Sequence, residues 1–225
     1  MARTRIHHEE KKNEIIGIAL SQFMLRGYEE TTISHIMKAA DISKGALYHY
    51  FSSKDEILNS VMEFLMEHEV ARLRSLISDP AMSGCDKFAR LLMAGEPKPE
   101  ELQQVLENYR KIRNSVFHYR LQEESMFSNA GIFAEVIAEG VASGDFCISC
   151  PPIVLAELFA GTLKAVLTAA EMETGDHSDL QSRIDQFICL LEWGLGVENE
   201  SFPGVADSLY RQILPFRGCR YQNPS

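Results

Sequence analysis

Residues 19–58 read ALSQFMLRGYEETTISHIMKAADISKGALYHYFSSKDEIL, and the order of apolar, capping and turn residues in this stretch decides the fold. Leading into it, residues 9–26 place Ile15, Ile16, Ala19, Leu20 and Phe23 at helical spacing, and the pattern stops at Gly27, a residue type common just past a helix end. Thr31 and Thr32 offer a hydroxyl cap ahead of Ile33, Ile36, Met37 and Ala40, which mark one face of a short second helix. Asp41, Ile42 and Ser43 then break the period. Ser43 can cap a third short helix that carries Leu47 and ends near Tyr50 and Phe51. Ser53 and Glu56 have the spacing of a capping box, so a fourth helix is expected from there to about Ile77, with Leu58, Val61, Met62, Leu65 and Met66 on one side.

Two short helices joined by a tight turn, with another helix in front, make a unit whose second helix can lie in the major groove of DNA. Lys44, Tyr48 and His49 are polar or aromatic, whereas Ala46 and Leu47 point elsewhere on the same rod. Gly45 has no side chain and permits close backbone approach to DNA, despite a helix cost of about 1 kcal/mol relative to alanine. The helix starts at Thr32, Ser43 and Ser53 expose N–H groups that suit phosphate oxygens, with Lys54 adding a cation. Taken singly, each residue has a plainer role: Thr32 and Ser43 as caps, Tyr48 and Phe51 as core, Lys54 as a solvated charge. Their joint spacing favours a DNA-reading surface over that alternative.

The same run closely resembles the amino-terminal signature of TetR-family regulators, over about forty residues. The likeness lies in the order of Phe23, Gly27, Thr31-Thr32, Ile36, Ala40, Ser43-Lys44-Gly45, Leu47-Tyr48, Tyr50-Phe51 and Lys54. It implies an all-helical protein with a DNA-binding head at 1–52, a helical effector-binding and dimerisation body at 53–200 and a tail at 201–225. Carried over by position, Thr32, Lys44, Gly45, Tyr48, His49 and Lys54 would contact DNA, joined by Ser43 at its helix start. Asp41 departs from the pattern, where the family usually has glycine; aspartate tolerates left-handed backbone angles, so the turn is expected to survive with slight strain. The partners implied are a palindromic double-stranded operator, a second copy of the chain and a small effector of unknown identity. An effector bound in the body would shift the fourth helix and the spacing of the heads, releasing a repressor from DNA.

Beyond the fourth helix, helices are expected near 85–94, 99–127, 129–144, 151–172 and 178–196, with breaks at Pro97 and Pro99, Ser128, Gly144-Asp145 and Gly175, and then a tail holding one short helix. No strand alternation stands out. The 151–172 segment is apolar nearly all round, and 178–196 carries a stripe of Leu180, Ile184, Phe187, Ile188, Leu191 and Leu195. The resemblance makes these the four-helix dimer interface; a monomer core is the alternative. Phe88, Leu92, Tyr109, Ile112, Arg113, Phe117 and Phe133 are candidate effector-pocket residues, with Met93, Met126 and Phe127 nearby and Arg113, His118 and Arg120 as polar anchors; ordinary core and surface roles compete at each position.

The net charge of −10 is unevenly placed: residues 1–60 hold eight Lys/Arg against eight Asp/Glu, and the rest hold fourteen against twenty-four. An acidic body repels phosphate and leaves the neutral head, with Arg3 and Arg5 on an arm ahead of the first helix, as the docking surface. His7 and His8 on that arm are read as solvated. Cys85, Cys147, Cys150, Cys189 and Cys219 are odd in number and scattered, which suits reduced thiols in a cytosolic protein and no bridge. Cys147 and Cys150 form a lone CxxC without further ligands at matching spacing, so neither metal nor cofactor is expected. No phosphate loop, nucleophile elbow or spaced metal cluster points to an enzyme. The longest apolar run, 151–170, is broken by Glu157 and Lys164, and no membrane span or leader is read.

Overall fold

The computed structural model describes residues 2–95, 116–172 and 177–216. Among these, every regular element is helical: α1 Ala2–Arg26, α2 Ile33–Ala40, α3 Lys44–Tyr50, α4 Lys54–Leu76, α5 Gly84–Met93, α6 Val116–Ser143, α7 Pro152–Met172, α8 His177–Leu195 and α9 Val205–Ile213, closed by a 3₁₀ turn at Leu214–Phe216. The chain forms two compact units, one of Met1–His68 with Glu107–Glu124 and the other of Glu69–Leu106 with Ser125–Ser225.

The first unit is built on the periodicity of the opening stretch. Ile15, Ile16, Ala19 and Phe23 of α1 bury against Ile36 of α2, Leu47 of α3 and Ile57, Leu58 and Val61 of α4. Gly27, at φ 82°, ends α1 in the left-handed region where a side chain is strained. Two expectations are corrected here. The first helix starts at Ala2 rather than residue 9, so Arg3 and Arg5 stand in helical backbone and not on a separate arm; residues 2–8 hold no proline or glycine to stop it. Phe117 packs in this unit's core, fully buried with its ring 6.1 Å from Phe23.

The second unit gathers around Phe88 of α5, whose ring lies 4.9 Å from Phe133, 5.7 Å from Phe202, 6.2 Å from Phe159 and 6.3 Å from Phe146. Ser83 caps α5 by accepting the Asp86 N–H at 3.1 Å. After α6 the chain turns at Gly144, φ 88°, and folds Phe146 back on the helix; a Cβ at Gly140 would sit 2.2 Å from that ring, so only glycine leaves room for it. The expected break at Ser128 is absent, and α6 runs unbroken to Ser143. A lone serine lacks the steric block of proline, and its propensity cost of a few tenths of a kcal/mol is too small to end a helix.

α7 buries Leu155, Ala156, Phe159, Val166 and Ala170, and α8 buries Leu180, Ile184, Phe187, Leu191 and Leu195. The outward side of α7 is apolar as well, with Val154, Leu158 and Met172 exposed, Leu158 by 54%, whereas α8 turns Ser182, Arg183, Asp185 and Gln186 outward together with one large apolar side chain, Trp193, exposed by 82%. Pro152–Ala170 is long and apolar enough to cross a membrane, with mean hydropathy 1.7, and 28% of it is buried within this chain. The last helix is no loose tail. Val205, Leu209 and Ile213 of α9 are buried, and the Gln212 amide donates to the Leu92 carbonyl at 3.0 Å, one of the groups the end of α5 leaves without an intrahelical partner.

Candidate nucleic-acid interface

The α2–turn–α3 segment is held at each corner by a local bond. The Thr32 hydroxyl accepts the His35 N–H at 3.2 Å, and His35 Nδ1 accepts the Thr32 N–H at 3.2 Å, so α2 begins in a reciprocal capping box with histidine in the place usually taken by glutamate or glutamine. Asp41 closes α2 in the left-handed region, φ 50° and ψ 49°, as expected for an aspartate in a position that suits glycine. The Ile42 N–H then returns to the Met37 carbonyl at 3.1 Å. Ser43 Oγ accepts the Ala46 N–H at 3.2 Å and starts α3.

α3 separates its residues by side. Leu47 is fully buried and Ala46 is half-buried, whereas Lys44, Gly45, Tyr48 and His49 are exposed, Tyr48 by 47%. Lys44 Nζ lies 5.8 Å from the Tyr48 ring centre, which keeps a cation and an aromatic ring on one outward face. A Cβ built on Gly45 meets nothing within 4 Å, so nothing in the protein itself demands glycine there. The face therefore offers hydrogen-bond donors, a ring and a bare backbone position to whatever docks on it.

Two expected contacts have a different local role. Lys54 Nζ donates to the carbonyls of Tyr28 at 2.7 Å, Thr31 at 2.9 Å and Glu29 at 3.3 Å, and sits 4.1 Å from the Tyr28 ring centre. Its three donors are engaged by the loop between α1 and α2, so the ammonium ties the unit together and is not held out toward a phosphate. The Ser53 hydroxyl does cap α4, accepting the Glu56 N–H at 3.1 Å, but the Glu56 carboxylate reaches past it to accept both the N–H and the hydroxyl of Ser52, each at 2.6 Å. Those two bonds, the hydroxyl first, hold the Glu56 carboxyl below the usual glutamate range. Beside Lys54, the Tyr28 hydroxyl donates to Asp55; burial, then that bond, raises the phenol well above the ordinary tyrosine range.

Sequence reasoning missed the role of His8. Read as solvated, it is half-buried, with its ring 4.6 Å from Tyr50 and 5.4 Å from His49. No spacing rule predicts this contact, because it depends on α1 extending back over the end of α3.

The candidate effector residues divide between the two units. Phe88, Leu92 and Phe133 share the core of the second, with Phe133 half-buried, while Phe117 lies in that of the first; Tyr109, Ile112 and Arg113 fall outside the described residues. His118 is buried beside Phe117, and Arg120 donates to the Asn59 side chain at 2.7 Å. A cleft of about 350 Å³ is lined by Asp79, Met82, Cys85, Arg90, Met93 and Pro203 among others, and of the residues grouped around the expected pocket it includes Met93 but not Phe88, Leu92, Phe117 or Phe133. Burial, then the charges of Asp145 and Asp86, pushes the Cys85 thiol up, away from the reactive thiolate. Cys147 is exposed and Cys150 half-buried, both as free thiols. Among the described residues no three His, Cys, Asp or Glu side chains gather in a way that could hold a metal ion.

Comparison with known proteins agrees with this geometry. The sequence profile of bacterial regulatory proteins of the tetR family matches residues 15–61, the segment that forms the first unit's core helices. The HTH-type transcriptional repressor KstR2 of Mycolicibacterium smegmatis is 26% identical over 139 residues, 60% of this chain and 67% of that protein. KstR2 of Mycobacterium tuberculosis is 30% identical over 84 residues, 37% of this chain and 42% of its own length, so this match spans less than half of that relative. Among solved structures, RolR in complex with resorcinol superposes with a TM-score of 0.58 at 18% identity, over 93% of this chain and 96% of that one, a likeness of fold. The capped α2–turn–α3 unit and the outward face of α3 fall on the residues matched by that profile, so residues 15–61 carry the DNA-binding segment of the tetR family of bacterial regulatory proteins.

Proposed function

We propose that this protein is a repressor that grips a palindromic operator as a homodimer and releases it when a small effector binds its body. The observation that carries the reading is the sidedness of α3: Leu47 is wholly buried while Lys44, Gly45, Tyr48 and His49 face out together. An amino-terminal turn with a cation, a ring and a side-chain-free position suits entry into the major groove, where base edges differ in donors and acceptors. Thr32 and Ser43, engaged as caps, hold the ends of α2 and α3 where phosphates would run; Lys54 serves by fixing the loop behind them. Residues 1–52 act as the reading head, 53–200 as the effector and dimer body, and 201–225 as a C-terminal segment whose helix completes that body.

The exposed apolar side of α7 supports dimerisation, since Val154, Leu158 and Met172 are costly to leave in water, as is the exposed Trp193 of α8. Two copies related by a two-fold axis would place two α3 helices on half-sites one helical turn apart, about 34–36 Å. RolR is solved with resorcinol, which supports a small amphipathic, ring-bearing effector here as well. Effector and operator then oppose each other reciprocally, each weakening the other by the same factor.

Fluorescence anisotropy with a duplex from the promoter of the protein's own or a neighbouring gene tests the proposal. Lys44→Ala and Tyr48→Ala are each expected to lower specific affinity by about tenfold, corresponding to 1–3 kcal/mol per base-reading contact. Wild-type binding no tighter than to an unrelated duplex, or unchanged affinity in both variants, overturns it.

A further inference from the structure

The rings of His8, His49 and Tyr50 form a closed triangle between the second turn of α1 and the last turn of α3. His8 lies 4.6 Å from Tyr50 at a tilt of 37°, and 5.4 Å from His49 nearly edge-on at 82°; His49 and Tyr50 are themselves 5.4 Å apart at 77°. One turn further along α1, Lys12 Nζ stands 5.9 Å from the Phe51 ring centre. Among the described side chains of α1, burial in the apolar core begins at Ile15, and the turn that carries His8 meets α3 through these rings. Edge-on and tilted ring pairs at such distances are the favoured aromatic arrangements.

From this contact we infer that His8 is a positioning residue for operator recognition: it fixes the ring of His49 and the last turn of α3 before DNA arrives. The inference rests on the reading of α3 as the DNA-facing helix. α3 has seven residues and ends at Phe51 in extended backbone, φ −141°. A helix that short has little stability of its own, and its terminal residues fray unless something outside it holds them. His49 and Tyr50 are its last two residues. Of these, His49 is exposed on the same side as Gly45, one turn earlier, and an exposed side chain that must take up one rotamer to meet DNA gives up conformational freedom on binding. A ring already wedged by His8 has less to give up. Among the described residues, the ion pair of His8 is with Glu9 on its own helix, at 3.9 Å from Nδ1, and its contacts to α3 are to the rings of His49 and Tyr50, so the contact with α3 is one of shape more than of charge. A planar side chain is what position 8 needs.

The experiment compares the full chain and its variants on a promoter duplex chosen by wild-type binding and on an unrelated duplex of equal length, across a salt series. His8→Ala is expected to weaken the promoter complex by about three- to tenfold, the loss of one pre-set side chain, with the unrelated duplex and the salt slope unaffected. His8→Phe, which keeps the plane and drops the nitrogens, recovers most of that loss. In a His49→Ala background, His8→Ala costs nothing further, a non-additivity that holds even where the single variant also lowers the melting temperature. If His8→Ala binds as wild type while Tyr48→Ala is weakened, the positioning role is wrong; if Tyr48→Ala is also unchanged, the reading of α3 beneath it falls. A salt slope reduced by about one, with no recovery in His8→Phe, makes His8 a direct phosphate contact and overturns the inference.

Discussion

Gly45 separates what the fold wants from what the ligand wants. Because an added methyl meets nothing within 4 Å and the residue sits inside a helix, Gly45→Ala should stabilise the isolated protein by about 0.5–1 kcal/mol, read as a higher urea midpoint. The same methyl stands on the outward side, so promoter affinity should fall; a variant that gains in both measurements shows that DNA does not approach this backbone. Lys54 makes the complementary case. Removing an ammonium that serves three loop carbonyls should cost about 1–3 kcal/mol in Lys54→Ala, while the salt slope of DNA binding stays at the wild-type value. A slope lower by about one would restore the phosphate role that the sequence suggested. Type and spacing singled out this lysine as functional, but they carry no information about where a four-carbon stem points, and so the loop carbonyls that occupy it were not legible.

At the scale of helices, the caps were the most readable feature and also show the limit of reading. Thr32, Ser43 and Ser53 each accept the N–H expected of a cap, because an N-cap bond spans only three residues and depends on local backbone alone. The return bond at α4 is another matter: Glu56 selects Ser52 over Ser53, a choice between two adjacent serines that spacing cannot make. With its folded value depressed, Glu56 contributes stability that is present above the unfolded glutamate value, about 4.3, and lost as pH falls through the folded value. The melting difference between wild type and Glu56→Gln should therefore shrink as pH is lowered from about 6 to about 3; a difference that stays constant means the carboxylate bonds add nothing. Helix α9 was expected only as a short piece in a tail, since its partner Leu92 lies more than a hundred residues away in sequence. Leu209→Ala should cost about 2–5 kcal/mol, the range for a buried leucine, where a true tail residue would cost almost nothing.

For the molecule as a whole, the class of fold was legible because helical periodicity and its punctuation recur along the chain, and the DNA-reading unit because its signature is local and dense. The body's pocket was not. Its candidate list was drawn from apolar spacing, which marks burial equally well in a filled core, and Phe88 turned out to be surrounded by four other aromatic rings. The surplus apolar surface was readable on α7, though only the fold shows which residues are left over, while the α8 stripe of Leu180, Ile184, Phe187, Leu191 and Leu195 is buried within the chain. Leu158→Glu with Trp193→Glu should convert the proposed dimer to a monomer in sedimentation velocity, with the helical content kept; a variant that still sediments as a dimer places the interface elsewhere.

The bare side of Pro152–Ala170 also governs how the protein behaves when dilute. If the proposed homodimer covers this surface, of which 28% is shielded inside a single copy, folding is tied to association, and the thermal midpoint should climb with protein concentration as mass action requires. At low nanomolar levels the separated subunits would adhere to vessel walls and detergent micelles, and apparent operator affinity would fall for want of intact pairs, with no weakening of the contacts to DNA.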